Sequence, residues 1–384
     1  MSKALGKGYA WGLSGVLAAL LMMAAPARAE VSADLSGTIL VFPKVVWDGT
    51  RDTIIQIANT SNNMVHVRCF YVDAQPLFSN FPVGPTNPRR WQVTDFELWL
   101  TRQQPTHWVA SSGRPVDPTD SFGDDGYGLD PGAIPPVVEG FEGELRCVQT
   151  DASGIPFAGN NLKGETVLRN SNGDVSKHNA VAILASGLIS NDTTIRLDNP
   201  LIPDITGEAN SCHNKLLLDH FVENPADDFD SDSPAVTTEL TLVPCSVDYE
   251  NIIPSRVKIQ FEITDEMELT FSASTTVECW LNNTLEELSP VFTVVGSGGS
   301  VGTMFTKIVP VDLNGGVIGI AEETHRSSVN GNTAVAAWNL QGDGQLEDGA
   351  NNFINGRFFP VSRYDATLNT PGGPVVDTMT IVDF

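Results

Sequence analysis

Four short segments in the first half of the chain return in the same order in the second, which leaves little room for any architecture but two β-modules in tandem. Leu40-Val41-Phe42-Pro43 returns as Leu242-Val243-Pro244, and Ile54-Ile55-Gln56-Ile57 as Val257-Lys258-Ile259-Gln260-Phe261. Val67-Arg68-Cys69-Phe70-Tyr71 returns as Val277-Glu278-Cys279-Trp280-Leu281, and Asn179-Ala180-Val181-Ala182 as Thr333-Ala334-Val335-Ala336. These segments are β-branched or aromatic and lie between clusters of Gly, Pro, Asn and Asp, while helical periodicity is scarce. The pattern predicts an all-β chain of two tandem, related antiparallel β-sandwich (Ig-like) domains.

Residues 1–29 read as a signal peptide. Lys3 and Lys7 open it, an apolar run follows from Leu13 to Met23, and Ala27-Arg28-Ala29 supplies the small-x-small cleavage pattern. No later stretch reaches the ~18 to 20 consecutive apolar residues of a spanning helix, so the chain is expected to be exported and not membrane-embedded. Removing residues 1–29 takes away Lys3, Lys7 and Arg28 and no acid, leaving 19 basic against 47 acidic residues, or about −28. Such a field opposes nucleic acid as a partner and favours a solvated acidic surface.

The expected organisation is a first sandwich over 30–190, a connector over 191–234 and a second sandwich over 235–384. The first carries an extra hairpin from Leu162 and a long Asp/Gly/Pro loop over 113–140. The connector contains Cys212 to Val222, read as a short helix, and then the acidic run Asp227 to Asp232. Val291 to Val295 and the closing segment Thr378 to Phe384 read as strands of the second sandwich. In an oxidising compartment the five cysteines are expected to pair, Cys69 with Cys147 and Cys245 with Cys279, leaving Cys212 over.

Catalytic signals are sparse. Gly298-Gly299-Ser300-Val301-Gly302 fits G-x-S-x-G, with Asp312 and His325 downstream, but β character on both sides suits a Gly-rich turn better than a nucleophile elbow. Glu286-Glu287 and Glu322-Glu323 are adjacent pairs, whose side chains point to opposite faces of a strand and so cannot flank one glycosidic bond. Cys212, His213 and His220 lack a second pair of ligands at zinc spacing. No cofactor is called for. Ca²⁺ is the more tenable ion, with Asp120, Asp124, Asp125 and Asp130 in the long loop and Asp228, Asp230 and Asp232 in the connector as carboxylate ligands. Trp91, Trp99, Trp108 and Tyr127 are candidate binding aromatics, with packing between sheets as their alternative role.

The run from Phe42-Pro43-Lys44-Val45 through Asp48-Gly49-Thr50-Arg51-Asp52-Thr53 to Asn59-Thr60-Ser61-Asn62 resembles uncharacterised exported proteins of Gram-negative bacteria. The resemblance extends through Gly143-Glu144-Leu145-Arg146-Cys147 and Leu240 to Cys245, so it covers both modules. It implies export and a shared architecture, and it transfers no activity. Together these features lead to an expected non-catalytic binding, adhesion or structural protein of the periplasm or cell surface, meeting a protein or glycan. The opposing class is a secreted hydrolase acting on a polysaccharide or ester.

Overall fold

The structure, a computed structural model, describes residues 31–342 apart from 79–86, 117–128, 186–194, 196, 198–207, 211, 214, 225–234, 248–254, 300–301, 312–315 and 327–331. The expected signal peptide, the acidic run Asp227 to Asp232 and the closing segment Thr378 to Phe384 lie outside the described residues.

The first unit contains β1 (Ile39–Trp47), β2 (Arg51–Asn59), β3 (Val65–Asp73), β4 (Gln92–Leu100), β5 (Pro105–Val109), β6 (Phe141–Thr150), β7 (Leu162–Asn170), β8 (Val175–Asn179) and β9 (Val181–Ile183). All pair antiparallel in the order β4-β3-β6-β1-β2-β7-β8, with β5 on β2 and β9 on β1. β1 and β2 are in register at Trp47 and Asp52, where the ladder folds over, so β4-β3-β6-β1-β9 faces β5-β2-β7-β8. Between these layers Trp108 Nε1 of β5 donates to the Tyr71 hydroxyl of β3 at 2.5 Å. Gly164 of β7 lies so close to the Phe42 ring of β1 that a Cβ there would stand 2.6 Å from Cζ, a position only glycine can fill. The expected hairpin is β7 to β8, turned at Asn172-Gly173 with Gly173 at φ 97°.

The second unit contains β10 (Leu216–Phe221), β11 (Ala235–Pro244), β12 (Arg256–Asp265), β13 (Thr270–Glu278), β14 (Leu281–Thr284), β15 (Thr303–Pro310), β16 (Val317–Arg326), β17 (Thr333–Asn339) and β18 (Gln341–Gly342). One sheet runs β13-β12-β15-β10-β18 and the other β14-β11-β16-β17. Phe261, Ile308, Leu240, Leu242 and Phe292 meet in the core between them.

The two units share part of a strand order. β1 lies between β6 and β9 as β11 lies between β14 and β16, and β2 lies between β5 and β7 as β12 lies between β13 and β15. Cys69 sits on β3 and Cys279 just before β14, strands with different neighbours, and β9 corresponds in this order to β16 rather than to β17.

The units do not hang in series from a linker. A third apolar cluster joins Ile39 and Val41 of β1 with Val243 of β11, Ile318 of β16 and Trp280. The outer face of each β1- or β11-containing sheet is therefore covered by the other unit, giving four stacked layers. β1 is buried on both faces, as its nearly unbroken apolar run Ile39-Leu40-Val41-Phe42 requires. β12, in an outermost layer, alternates buried and exposed residues.

Three expectations are corrected. The segment read as a helix from Cys212 to Val222 is strand β10: Leu216, Leu218 and His220 point inward and Asp219 and Phe221 outward, a period of two. Val291 to Val295 is not a strand. Thr284 and Glu287 form a reciprocal capping box that starts α1 (Leu285–Leu288), and Pro290 begins a 3-10 turn to Phe292. Cys69 is bonded to Cys147, directly opposite it on β6, but Cys245 is bonded to Cys212 and not to Cys279. The connector brings Cys212 over the end of β11, where Gly316 packs against both Cβ atoms, while Cys279 stays buried and free.

Candidate functional site

The aromatic residues singled out in the sequence do not form an open surface. Trp91 and Trp108 are 5% and 2% exposed, and half-buried Trp99 lies 4.3 Å from the His66 ring, tilted against it. Trp108 fills the core of the first unit and Trp91 the apolar cluster shared with the second, because burying such rings stabilises more than exposing them; Tyr127 lies outside the described residues. Asp130 is held by Arg114 Nη1 at 2.6 Å and by the Gly132 N–H at 2.8 Å. Asp120, Asp124, Asp125, Asp228, Asp230 and Asp232 lie outside the described residues, among which no group of three or more His, Cys, Asp or Glu side chains is placed to hold a metal ion.

The G-x-S-x-G segment lacks the context of a nucleophile elbow. Gly298 and Gly299 adopt φ of 81° and 100°, and strand β15 follows rather than a helix. Ser300 and Asp312 lie outside the described residues, and His325 Nε2 is 2.7 Å from Glu323.

What the fold does bring together is a band of charge along the seam between the units. β1 carries a bulge between Phe42 and Val45, which turns Pro43 and Lys44 out of the ladder and toward the second unit. The Pro43 carbonyl accepts from Trp280 Nε1 at 2.8 Å. Lys44 Nζ pairs with Glu239 of β11 and lies 3.9 Å from Glu322 of β16. Arg51 reaches Glu239 at 3.7 Å and Glu142 at 3.5 Å. Asn282 donates to the other oxygen of Glu239, and Ser176 of β8 donates to Glu322 at 2.7 Å. Burial pushes the Glu239 carboxyl up, but Lys44, Arg51 and Asn282 outweigh it and hold the group below its ordinary value. Further along, Arg146 bonds Glu144 at 3.0 Å and donates to the backbone carbonyls of Pro244 and Cys245. Buried charges are tolerated only when paired and hydrogen-bonded, and here each pair spans or abuts the seam.

Beside this band lies a cleft of about 420 Å³, walled by the segment from Val31 to Asp34, by β8 and β9, and by β16 to β18. Asn339 closes one side. Its amide accepts from the Asn179 N–H at 3.0 Å and donates to the Asn179 carbonyl at 2.7 Å, imitating a strand partner across the units. His178 lines the cleft and is 4% exposed; its Nε2 lies 2.6 Å from the Thr166 hydroxyl, and its Nδ1 has no hydrogen-bond partner. Burial, reinforced by nearby Lys44, pulls this imidazole down to about 3, so it is neutral. The sequence concealed this site because its walls come from residues more than 100 positions apart. One signal was present: β1 and β16 read as apolar on both faces, which marks strands covered twice.

Among the described residues no helix is long and apolar enough to cross a membrane, and the two disulfides fit an oxidising environment. No family model and no curated protein matches the chain. Among solved structures, the C-terminal domain of the Streptococcus pyogenes antigen I/II-family protein AspA is similar over 79% of this chain and 99% of that one, at 9% identity and a TM-score of 0.10, a likeness too slight to carry any argument about function.

Proposed function

We propose that this is an exported, non-catalytic binding or structural protein of the periplasm or cell surface, in which two locked sandwiches present the cleft between them to a partner. The observation that carries this reading is the use made of the gathered carboxylates. Glu239 and Glu322 are committed across the seam to Lys44, Arg51 and Ser176, and Glu144 holds Arg146, which donates to the Pro244 and Cys245 carbonyls of the second unit. Acid–base catalysis needs carboxyls that face a substrate and exchange protons with it. The opposing reading, a hydrolase, has its best residue in Glu223, which burial pushes up to about 7. That side chain is 1% exposed and accepts from the backbone N–H groups of Thr238, Leu285 and Glu286, all from within the second unit.

The test couples capture to turnover. Full-length protein, exported by its own host and cross-linked there, is expected to retain the same surface component in repeated isolations. The purified protein is expected to hydrolyse neither ester nor polysaccharide substrates. Hydrolysis abolished by Glu223→Gln would replace this reading with the enzymatic one.

A further inference from the structure

We propose that the C-terminal segment from Thr378 to Phe384 adds a strand to the five-stranded sheet of the second unit, pairing antiparallel with the open edge of β13 in its own chain. The inference goes beyond the binding reading above and does not depend on it.

β13 pairs with β12 in unbroken register, from Thr270 opposite Thr264 to Glu278 opposite Arg256, without a bulge. Among the described residues its other edge meets no strand, so alternate N–H and C=O groups point away from the sheet. Proteins normally blunt such an edge with lysine, proline, a bulge or an inward-pointing charge. β13 has none of these, and Thr270 to Val277 is free of charge. Other edges are covered or short. The Trp99 N–H of β4 donates to the Pro131 carbonyl at 2.8 Å, β8 and β17 lie against each other, and β14 has 4 residues and β18 has 2.

The inner face of this edge is also unfinished. Phe271 and Ala273 stand opposite Ile263 and Phe261 and point with them toward the core, yet both are only half-buried. In the facing layer α1 and the 3-10 turn pack against β13, and there Leu288 and Val291 are half-buried as well. A strand with apolar residues at alternate positions, laid beside β13, would close this side of the core and satisfy the outward backbone groups together.

Sequence and topology choose the occupant. Thr378-Met379-Thr380-Ile381 alternates, so Met379 and Ile381 share one face and the two threonines the other. With Met379 and Ile381 inward, Thr378 and Thr380 extend the exposed row Ser272, Ser274 and Thr276 of β13, a hydroxyl pairing that neighbouring strands favour. The ladder sets the direction. β18 and β15 are both antiparallel to β10, and β15 and β13 are both antiparallel to β12. The chain therefore leaves β18 at the end of the sheet where β13 finishes, and a strand entering the edge from there runs antiparallel to β13. The crossing is five inter-strand steps, about 24 Å, and the 35 residues 343–377 span up to about 120 Å. Tethering keeps the segment near its own edge, while a net charge of −25 sets copies against one another.

The experiment is amide hydrogen exchange, read residue by residue on the full exported chain. All amides from Phe271 to Val277 are expected to be protected, whereas an uncovered edge leaves alternate ones fast. Ile381→Asp, which puts charge into the apolar row, and the pair Thr380→Pro with Ile381→Pro, which removes a ladder N–H in either register, are each expected to speed the outward amides of β13 by about tenfold or more. β12 and β15 should exchange as in the parent, and Ile381→Val should retain the protection. Fast alternate amides in the parent, or protection that survives both disruptive variants, overturns the inference. Protection lost on dilution, with a dimer in sedimentation, would assign the edge to a second copy and overturn it too. None of these outcomes bears on partner capture, which tests the binding reading separately.

Discussion

Lys44 of the first unit is 1% exposed and pairs with Glu239 of the second, which keeps 24% of its side-chain surface. The lysine is thus the costlier partner to bury, and the bulge in β1 exists at the position that delivers it. Lys44→Met is expected to destabilise the protein by about 3–5 kcal/mol in urea denaturation, because Glu239 and Glu322 lose their buried cation. Adding Glu239→Gln should recover part of that loss. A double variant as unstable as the sum of both singles would show that the pair does not act as a unit.

The disulfide pattern predicts how the thiols react. Burial pushes the Cys279 thiol up to about 12, so iodoacetamide should leave the native protein unlabelled. Unfolded without reductant, the chain should take one label, at Cys279, and mass mapping should recover Cys212 joined to Cys245. Replacing Cys212 and Cys245 by alanine opens a loop spanning 33 residues and is expected to cost about 3–4 kcal/mol.

Tyr71 and Trp108 connect the two layers of the first unit by a hydrogen bond inside its core. Tyr71→Phe keeps the ring but strands the buried indole N–H. The expected loss is about 1–3 kcal/mol, read as a lower denaturation midpoint with unchanged near-ultraviolet circular dichroism.

Stability should decline on both sides of mildly acidic pH. Burial pulls His178 down to about 3 and His220 down to about 4. Their contribution is full above the unfolded imidazole value of about 6.5 and is lost as pH falls through the folded values. Glu223 acts in the opposite sense: burial outweighs three backbone N–H donors and lifts it from 4.5 to about 7. Its contribution is complete below the unfolded value and disappears as pH rises through about 7. Melting curves between about pH 5 and 8 should show Glu223→Gln removing the decline on the alkaline side, and identical slopes for variant and parent would reject the assignment.

The strands were legible where side chains alternate or where β-branched runs end in strong turns. β2, β3, β7 and β12 fall where the patterning put them. β10 was misread because Leu216-Leu217-Leu218 satisfies both periods, and only Asp219, His220 and Phe221 beyond it distinguish a strand. The interval after β14 misled in the other direction: Val291 and Val295 look β-forming, but the Thr284 cap and Pro290 decide the backbone locally. The seam was harder to see. Lys44 reads as a surface residue until the bulge and the carboxylates of β11 and β16 are known, and no local pattern announces a contact 195 residues away. For the same reason Trp91 and Trp108 looked available, although the fold encloses both.

The inward placement of Lys44, Arg51 and Arg146 changes what the molecule presents to its surroundings. The chain has 22 lysines and arginines against 47 acids, and of those few cations Lys44 and Arg146 are buried and Arg51 is half-buried in the seam. Each of these cations lies beside an inward carboxylate, so the outer shell keeps the full excess of acids, and it gathers a cloud of counterions whose thickness is about 10 Å at 0.1 M salt. In dilute electrolyte, two such molecules repel before their surfaces touch; salt thins that cloud and lets neighbours crowd together.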